Sequence, residues 1–505
     1  MIRIESNLVL VKIREIDFFA PVDFSGSIAT PADPKAVRSA DSQTVRSLRR
    51  SNPFILVIDL NNFEGGDLHF VQEAIRRIFT REKLIGSDLF MLFAIRDRLI
   101  RLTALTSNLE EIVSTVDSLR ASATSISYKG LVENIARTFR VLVPAGLAEQ
   151  AMEQSITDAK MFKMNVRGRI ASTTRALGEL AEYLEPIPGR KNLLLLSRGY
   201  PTNAGSVVYE IISAFNRGIY PLTIMSAKLG QSGDNKTLDQ IRECNRKLNG
   251  SQIAVYCLDV KGVDPVGLAN SPEASAIPRS LINRFNSEDQ LSSMAFFNQI
   301  SKSSTGLIFN RSNYESKMDQ FLLEGYRYYL VGFQPTNKKE GHYTNVEVRI
   351  SRPDVELRYR QGFIYRKIDD IEDRIIRTAI QFPRLHREFP LDTEIRGISE
   401  RKVELGFNLP TNSLQFERRG GQLACTVGVY GVLIDSKGEW ITGGNKYTFA
   451  REFPLNLDPE RLKSLRTVGA PIRFDAAPGN YQLIVVVRQQ PGGQLATSIE
   501  EISIR

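Results

Sequence analysis

A short, continuous run of apolar residues gives the clearest structural prediction in the sequence. Residues 54–58 are all apolar, and Asp59 ends the run before a polar turn. Such a run is typical of a strand that is buried on both faces. Apolar residues then recur at helical spacing from Leu68 to Phe79, after Asp67, which can cap a helix. The pattern predicts strand, polar loop and helix, with Asp59 at the strand edge where open α/β sheets bind ligands.

The alternation of strands and helices continues over about 270 residues. Four consecutive leucines at 193–196 and the apolar run at 253–258, which ends at Asp259, predict two more buried strands. Helical spacing dominates most of residues 130–185, and Pro186 to Gly189 stops it. This alternation predicts a doubly wound, mostly parallel, Rossmann-like α/β sheet.

After residue 325 the pattern changes to alternating strands with few helices between them. Turn signals at regular spacing towards the carboxyl terminus are typical of an antiparallel, immunoglobulin-like β-sandwich. The sequence therefore predicts an N-terminal β-strand and irregular linker (1–50), the α/β domain (51–325), a β extension (326–367), a linker with a helical start (368–398) and the sandwich (399–505).

Composition excludes several classes of protein. The chain has 505 residues, with 66 Lys and Arg against 57 Asp and Glu, and these basic residues are scattered. No basic stripe with interleaved aromatic residues occurs, so we expect no nucleic-acid partner. No apolar stretch is long enough to cross a bilayer, so we expect a protein that does not span the membrane. The N-terminal residues lack the features of a signal peptide, which leaves a cytoplasmic location open.

Catalytic motifs are not found either. The three cysteines and three histidines have no metal-ligand spacing, and neither a nucleophile elbow nor a glycine-rich phosphate loop occurs. We therefore expect no catalytic residues and no enzyme activity. An enzyme that binds its ligand at the switch point of the sheet is the weaker alternative.

Several motifs together resemble a known family. They are Ile58-Asp59 after the first strand, residues 188–192 (PGRKN) before the leucine run, residues 255–259 (VYCLD), residues 328–332 (YYLVG) and residues 360–363 (RQGF). The set resembles a von Willebrand factor type A domain and, more narrowly, the VWFA-related family common in acidobacteria. The resemblance is good over residues 50–365 and loose over 400–505.

The resemblance implies a metal-ion-dependent adhesion site, D-x-S-x-S, at the end of the first strand. Asp59 is in place, but the two serine positions hold Asn61 and Phe63, and the position of a second aspartate holds Arg198. Phenylalanine supplies no ligand, and a guanidinium repels a cation. We expect a degenerate metal site with no metal or cofactor. Two roles for Asp59 stay open, a loop cap or an ion pair with Arg198.

The leading functional expectation is a non-catalytic protein–protein interaction or structural scaffold module. Its partner would be a protein, with self-association or a larger assembly included, and the resemblance implies an extracytoplasmic location. The alternative is Mg²⁺-dependent adhesion, with Asp59, Asn61 and a hydroxyl near Thr124, Ser125 or Ser127 as ligands. Asp259 either contacts a ligand or caps the next turn. The expected binding residues lie in loops at the strand ends: Asp59, Asn61, Asn62, Ser197, Arg198 and Asp259.

Overall fold

The structure is a computed structural model, and its description covers most of the chain. The described residues form two compact units, one before and one after residue 366. They are residues 2–6, 9–11, 13–19, 53–64, 66–79, 89–120, 128–185, 187, 190–201, 206–216, 218–221, 235–261, 272–326, 328–333, 339–350, 357–365, 368–386, 388–399, 401–490 and 493–504.

The first unit alternates strands with helices. Its described strands are β1 (Ile2–Ser6), β2 (Val9–Val11), β3 (Ile13–Phe19), β4 (Pro53–Asp59), β5 (Leu89–Arg96), β6 (Arg98–Arg101), β7 (Lys191–Ser197), β8 (Ile253–Asp259), β9 (Ile308–Asn310), β10 (Tyr328–Phe333), β11 (Tyr343–Ile350) and β12 (Gly362–Ile364). Its described α-helices are α1 (Asp67–Phe79), α2 (Leu109–Ser118), α3 (Tyr128–Leu142), α4 (Ala148–Leu184), α5 (Ser206–Phe215), α6 (Asn235–Gly250), α7 (Arg279–Ser303) and α8 (Tyr314–Tyr326).

A six-stranded sheet forms the centre of this unit, in the order β6-β5-β4-β7-β8-β9. All neighbours are parallel except β5 and β6, which form an antiparallel hairpin around Asp97. The chain leaves β4 towards β5 and later returns to the other side of β4 as β7. The switch point of the sheet therefore lies between Asp59 and Ser197, the last residues of β4 and β7. The predicted mixed α/β fold with a mostly parallel sheet is confirmed.

Burial explains why these runs became strands. Every residue of β4 and β7 is buried, because helices cover both faces of a doubly wound sheet. The N-terminal strands belong to the same unit. Strand β1 pairs with β11, and β3 pairs with β10, all antiparallel. From the sequence we expect the N-terminal segment and the β extension to form a small β-unit. In the structure, strands of these two segments pair with each other.

Helix α4 extends beyond the central sheet. It has 37 residues, which is about 55 Å at the usual helical rise. It ends at Leu184, shortly before β7 begins at the amino edge of the sheet, whereas its Thr173 lies beside Asp59 at the carboxyl edge. Residues 148–172 therefore continue for about 37 Å beyond that edge along the helix axis.

Other helices pack around this extension and give it a core of its own. The Tyr128 ring of α3 lies 5.4 Å from Phe162 and 4.8 Å from Phe285, and Phe139 stacks on Phe215 at 4.4 Å. We call this group the helical projection, and define it as α3, residues 148–172 of α4, α5 and residues 279–295 of α7. Aromatic packing and not strand contact holds it together.

The second unit consists mainly of antiparallel strands. They are β13 (Asp392–Ser399), β14 (Lys402–Pro410), β15 (Glu417–Arg419), β16 (Gln422–Ile434), β17 (Trp440–Ile441), β18 (Phe449–Leu457), β19 (Thr467–Asp475), β20 (Gly479–Gln490) and β21 (Leu495–Ile504). One sheet has the order β13-β14-β19, and the other has β15-β16-β20-β21 with β17 and β18 paired to β16. Side chains of both sheets share one apolar cluster. The immunoglobulin-like topology stays a prediction.

The structure differs from the predicted linker at 368–398. Residues Ile368–Gln381 form helix α9, and β13 begins at Asp392. Helix α9 buries Ile376 and Ile380 against Val432, Ile484 and neighbouring apolar residues on β16 and β20. The apolar stripe of α9 covers a sheet face that water would otherwise reach, so this segment belongs to the core of the second unit.

Gly306 provides a sharp test of how tightly the first unit is packed. A Cβ at this position would lie 1.6 Å from the backbone oxygen of Val255 in β8. We expect Gly306→Ala to lower the free energy of unfolding of the first unit by about 3 kcal/mol or more. Urea unfolding followed by far-ultraviolet circular dichroism, which the helices of this unit dominate, measures the change.

Two controls accompany this measurement. A Cβ at Gly168, within α4, would meet nothing within 4 Å, so Gly168→Ala should raise stability by about 0.5–1 kcal/mol. Fluorescence of Trp440, the single tryptophan of the chain, reports on the second unit and should not change. Equal effects of the two alanine variants would contradict the packing at Gly306.

Candidate functional site

Asp59 lies fully buried at the switch point of the central sheet. Its Oδ2 accepts hydrogen bonds from the Tyr200 hydroxyl at 2.8 Å and the Ser197 hydroxyl at 2.9 Å. Its Oδ1 accepts from the Asn61 backbone N–H at 3.3 Å and the Thr173 hydroxyl at 3.4 Å. The Tyr200 and Thr173 hydroxyls are themselves 2.8 Å apart. Four donors from the β4 turn, β7, the segment after β7 and α4 thus converge on one carboxylate.

Burial without a cation changes the acidity of this carboxyl. Desolvation raises the pKa of Asp59 from 3.8 to about 6, although the hydrogen bonds from Tyr200, Ser197, Asn61 and Thr173 lower it. Burial also raises the pKa of the Tyr200 hydroxyl, and the neighbouring Asp59 charge adds to this effect. Near neutral pH, the cluster holds its negative charge with neutral donors only.

The turn after β4 is fixed by its two asparagines. The Asn61 Oδ1 accepts from the Asp97 backbone N–H at 2.9 Å, and its Nδ2 donates to the Thr173 hydroxyl at 3.3 Å. The Asn62 amide donates to the Gly199 backbone oxygen. Phe63 is buried in the apolar core and faces no site. Asn61 and Asn62 therefore tie the turn to the neighbouring loops.

Of the two roles left open for Asp59, the structure shows the loop cap, through the Asn61 backbone N–H, and pairs Arg198 with other carboxylates. The Arg198 Nη1 lies 2.8 Å from the Asp67 Oδ2 and 3.0 Å from the Glu64 Oε2. Asp67 is buried at the start of α1, and the Arg311 Nη2 lies 3.3 Å from its other oxygen. Hydroxyls already surround Asp59, so the guanidinium pairs with the buried carboxylate that lacks them.

Asp259 lies beside this group but not inside it. It ends β8 opposite Ser197, and its Oδ1 accepts from the Lys261 backbone N–H at 2.9 Å. Desolvation raises its pKa, while the Lys261 N–H and the charges of Lys261 and Arg198 lower it. This geometry matches the expected turn cap. Of the expected site residues, the structure brings Asp59, Asn61 and Ser197 into one hydrogen-bonded cluster and places Asn62, Arg198 and Asp259 around it.

The described residues do not fit a divalent cation. Such a cation needs several free oxygen ligands, whereas both oxygens of Asp59 already accept hydrogen bonds and Arg198 stands nearby. Within the described ranges, no group of three or more His, Cys, Asp or Glu side chains is arranged to hold a metal. The hydroxyls expected as further ligands, Thr124, Ser125 and Ser127, lie outside the described residues.

A cavity of about 360 Å³ lies away from Asp59, beside the start of β9, where Thr305, Leu307, Leu357, Arg358 and Tyr359 contribute to its walls. Its arginine is held by the Glu324 carboxylate at 2.9 Å. In the part of the chain that the structure describes, no helix is both long and apolar enough to cross a membrane.

Sequence reasoning missed four participants in the site. Thr173 and Tyr200 complete the Asp59 cluster, and Asp67 with Arg311 completes the second charged group. One signal was available for Thr173, because residues 172–174 place three hydroxyl side chains in the middle of a helix, where they are unfavourable without partners. Nothing local in the sequence indicates that Arg311 reaches Asp67.

No protein-family model matches the sequence, and the search of curated proteins gave no match. Solved structures similar to the chain include von Willebrand factor type A from Catenulispora acidiphila, with 8% identity, 90% of this chain and 66% of that chain covered, and a TM-score of 0.23. The vWF domain of the type V pili tip protein Mfa5 from Porphyromonas gingivalis is similar at 9% identity, with 54% and 94% covered and a TM-score of 0.24. An aerotolerance-related membrane protein from Bacteroides fragilis is similar at 10% identity, with 54% of this chain and 98% of that chain covered and a TM-score of 0.26.

Type A domain proteins are thus among the structures that resemble this chain, in agreement with the resemblance in the sequence. The TM-scores are low, and the fold described above rests on the strand order and pairing of this chain alone.

The buried Asp59 carboxyl predicts a specific pH dependence of stability. Its folded pKa of about 6 lies above the value of 3.8 expected in the unfolded chain, so the folded state binds the proton more tightly. Stability should fall as pH rises from about 4 to 6, by roughly 3 kcal/mol for this group, and then level off. In Asp59→Asn this fall should disappear. Urea unfolding between pH 4 and 8 measures it, with Asp239→Asn, an exposed aspartate, as a control that keeps the wild-type slope.

The second charged group predicts a large effect of one arginine. Arg198→Ala leaves the buried Asp67 with the longer Arg311 contact as its ion pair, beside the Glu64 backbone N–H, so stability should fall by roughly 2–3 kcal/mol. Arg242 makes an exposed pair with Asp239, and Arg242→Ala should change stability by less than about 0.5 kcal/mol. Urea unfolding of both variants measures these changes in stability. A loss in Arg198→Ala no larger than in Arg242→Ala would show that the Arg198 contacts contribute little.

Proposed function

We propose that this chain is a non-catalytic protein-interaction or scaffold module that uses the carboxyl edge of its central sheet without a divalent cation. One observation carries the proposal. Both oxygens of Asp59 are engaged by hydroxyl and amide donors, and the guanidinium of Arg198, the residue after Ser197, is engaged by Asp67 and Glu64. Among the described residues, internal contacts hold the Asp59 and Arg198 side chains in place, which gives this edge a rigid surface.

Polar groups at this edge would form the recognition surface. Asn61 and Asn62 hold the β4 turn against its neighbours, Arg98 is exposed beside Asp97, and Lys261 follows Asp259. Because these groups sit on the ends of buried strands, they present a fixed arrangement to a partner. The occupied switch point argues against the weaker alternative of an enzyme with a ligand bound there.

The proposal has three further parts. The location is extracytoplasmic, as the type A resemblance implies. The second unit is an immunoglobulin-like sandwich that spaces or presents the type A domain, since its two antiparallel sheets share one core. The partner of the chain is a protein, which can be a second copy of the chain or part of a larger assembly.

Metal independence is tested by thermal unfolding after EDTA treatment, with and without millimolar Mg²⁺, Mn²⁺ or Ca²⁺. A cation that binds only the folded state must raise the melting temperature. Because the proposed surface uses no cation, the melting temperature of the wild type should stay the same with each ion. In Arg198→Asp, the new carboxylate joins Glu64 and Asp67, and a response to cations should appear. An increase of several degrees in the wild type would instead favour Mg²⁺-dependent adhesion.

Recognition at the edge is tested by capture of extracytoplasmic proteins on the immobilised chain in EDTA. Proteins retained by the wild type should be lost by the double variant Arg98→Glu, Lys261→Glu. They should still bind to Lys317→Glu, which changes an exposed lysine of α8 far along the chain. Retention by the edge variant, or capture that requires Mg²⁺, would contradict the proposed surface.

A further inference from the structure

The cavity beside the start of β9 has the size of a small-molecule site. Its volume of about 360 Å³ lies within the range of roughly 300–1,000 Å³ that is usual for ligand pockets. Its walls come from the last turns of α7, which contribute Asn298 and Ser301, from the start of β9 and from residues 357–361. All of these residues belong to the first unit. A space of this volume suits a ligand with one ring and its substituents.

The charge on the described wall is compensated within the protein. The Arg358 Nη1 donates to the Glu324 Oε2 at 2.9 Å, and its Nη2 donates to the other oxygen of the same carboxylate. Such a two-point pair fixes the guanidinium. The Tyr256 hydroxyl and the Gln320 amide, each at 2.8 Å, hold the Glu324 carboxylate as well. Because the arginine is neutralised in place, the cavity favours a neutral ligand.

The wall also carries polar side chains that the protein does not use for itself. Asn298 and Gln361 have amides, and Thr305 and Tyr359 have hydroxyls. None of these four side chains makes a hydrogen bond to the residues that the structure describes. Amides and hydroxyls both donate and accept hydrogen bonds, so together they suit a ligand with several hydroxyl groups. Leu307 and the ring of Tyr359 add apolar surface beside them.

Thr305 occupies a position where glycine would be less strained. Helix α7 ends at Ser303, and the Gly306 N–H donates to the Ser301 backbone oxygen at 3.1 Å. The φ of Thr305 is 73°, a left-handed conformation that is unfavourable for a β-branched residue and that glycine adopts freely. Strain of this kind is concentrated at ligand sites. It therefore points to a use for the threonine side chain on the cavity wall.

From these observations we propose that the cavity binds a neutral monosaccharide. The hydroxyls of the sugar exchange hydrogen bonds with Asn298, Thr305 and Gln361, and its apolar ring face lies on the Tyr359 ring. A sugar combines the two properties that the wall requires, because it is rich in hydroxyls and carries no charge. The site lies away from the strand-end surface proposed above and does not depend on it.

Binding is measured on the full chain by saturation-transfer NMR with the methyl glycosides of glucose, galactose, mannose and N-acetylglucosamine. At least one of them should bind saturably. Asn298→Ala and Gln361→Ala should each weaken its binding by about fivefold or more, because each removes hydrogen bonds to the sugar. Asn283, also on α7, is exposed and does not contribute to the described wall, so Asn283→Ala should leave binding within about twofold.

Variants of Thr305 separate recognition from folding. Thr305→Gly relieves the backbone strain, so the melting temperature should stay equal or rise, while loss of the hydroxyl should weaken glycoside binding by about fivefold. Thr305→Ser keeps the hydroxyl and should bind within about twofold of the wild type. The strand-end variant Arg98→Glu, Lys261→Glu should also bind the glycoside normally, so failure of this site is distinguishable from failure of the proposed interaction surface.

Competition tests the chemistry of the ligand. Cyclohexanol has a six-membered ring with a single hydroxyl, and it should not displace the bound glycoside, because the polar groups of the wall would lose their partners. Inorganic phosphate should not displace it either, because Glu324 already neutralises Arg358.

Three outcomes would overturn the inference. One is that none of the four glycosides binds. Another is glycoside binding that Asn298→Ala, Gln361→Ala and Thr305→Gly all leave unchanged, which would place the sugar elsewhere on the chain. The third is displacement of the glycoside by cyclohexanol or by phosphate, which would make the cavity an apolar site or an anion site.

Discussion

The first unit depends on how it accommodates a carboxylate that has lost contact with water. Leaving Asp59 unpaired in the interior would be costly, and hydroxyl and backbone amide donors offset this cost. These donors come from β4, β7 and α4, so satisfying one carboxylate fixes the relative positions of two central strands and the longest helix. The switch point consequently has a structural role, because its contacts hold these elements together.

Two neighbouring carboxylates are treated in opposite ways. Asp59 is held by neutral groups, and its pKa is raised to about 6. Asp67, only a short loop away, is held by Arg198 and Arg311. The arginines thus compensate the charge of Asp67 at the rim of the sheet, whereas neutral groups hold Asp59 at its centre. This division explains why a guanidinium can stand at the position of a second aspartate without pairing with Asp59.

The sequence was informative wherever burial follows from local pattern. The apolar run before Asp59 and the leucine run before Ser197 are strands, and their ends meet because parallel strands place their carboxyl ends at one edge. The partners of these residues could not be predicted in the same way. Thr173 reaches Asp59 across 114 positions of sequence, and Arg311 reaches Asp67 across 244. Such pairings depend on helix placement, which periodicity does not encode. Periodicity likewise could not show that α9, at the start of the expected linker, packs on β16 and β20.

The pairing of β1 with β11 has a consequence for how the chain is made. Ile2 pairs with Ile350, and Phe19 pairs with Tyr328. Strand β1 can pair with β2 at once, but β1 and β3 lack these distant partners until most of the first unit has been synthesised. Contacts this distant in sequence are slow to form, because a long loop must close first. Strands with unpaired edges are prone to aggregate while they wait. The first residues of this chain are therefore among the last to reach their final positions, and chaperone binding during synthesis would be most valuable there.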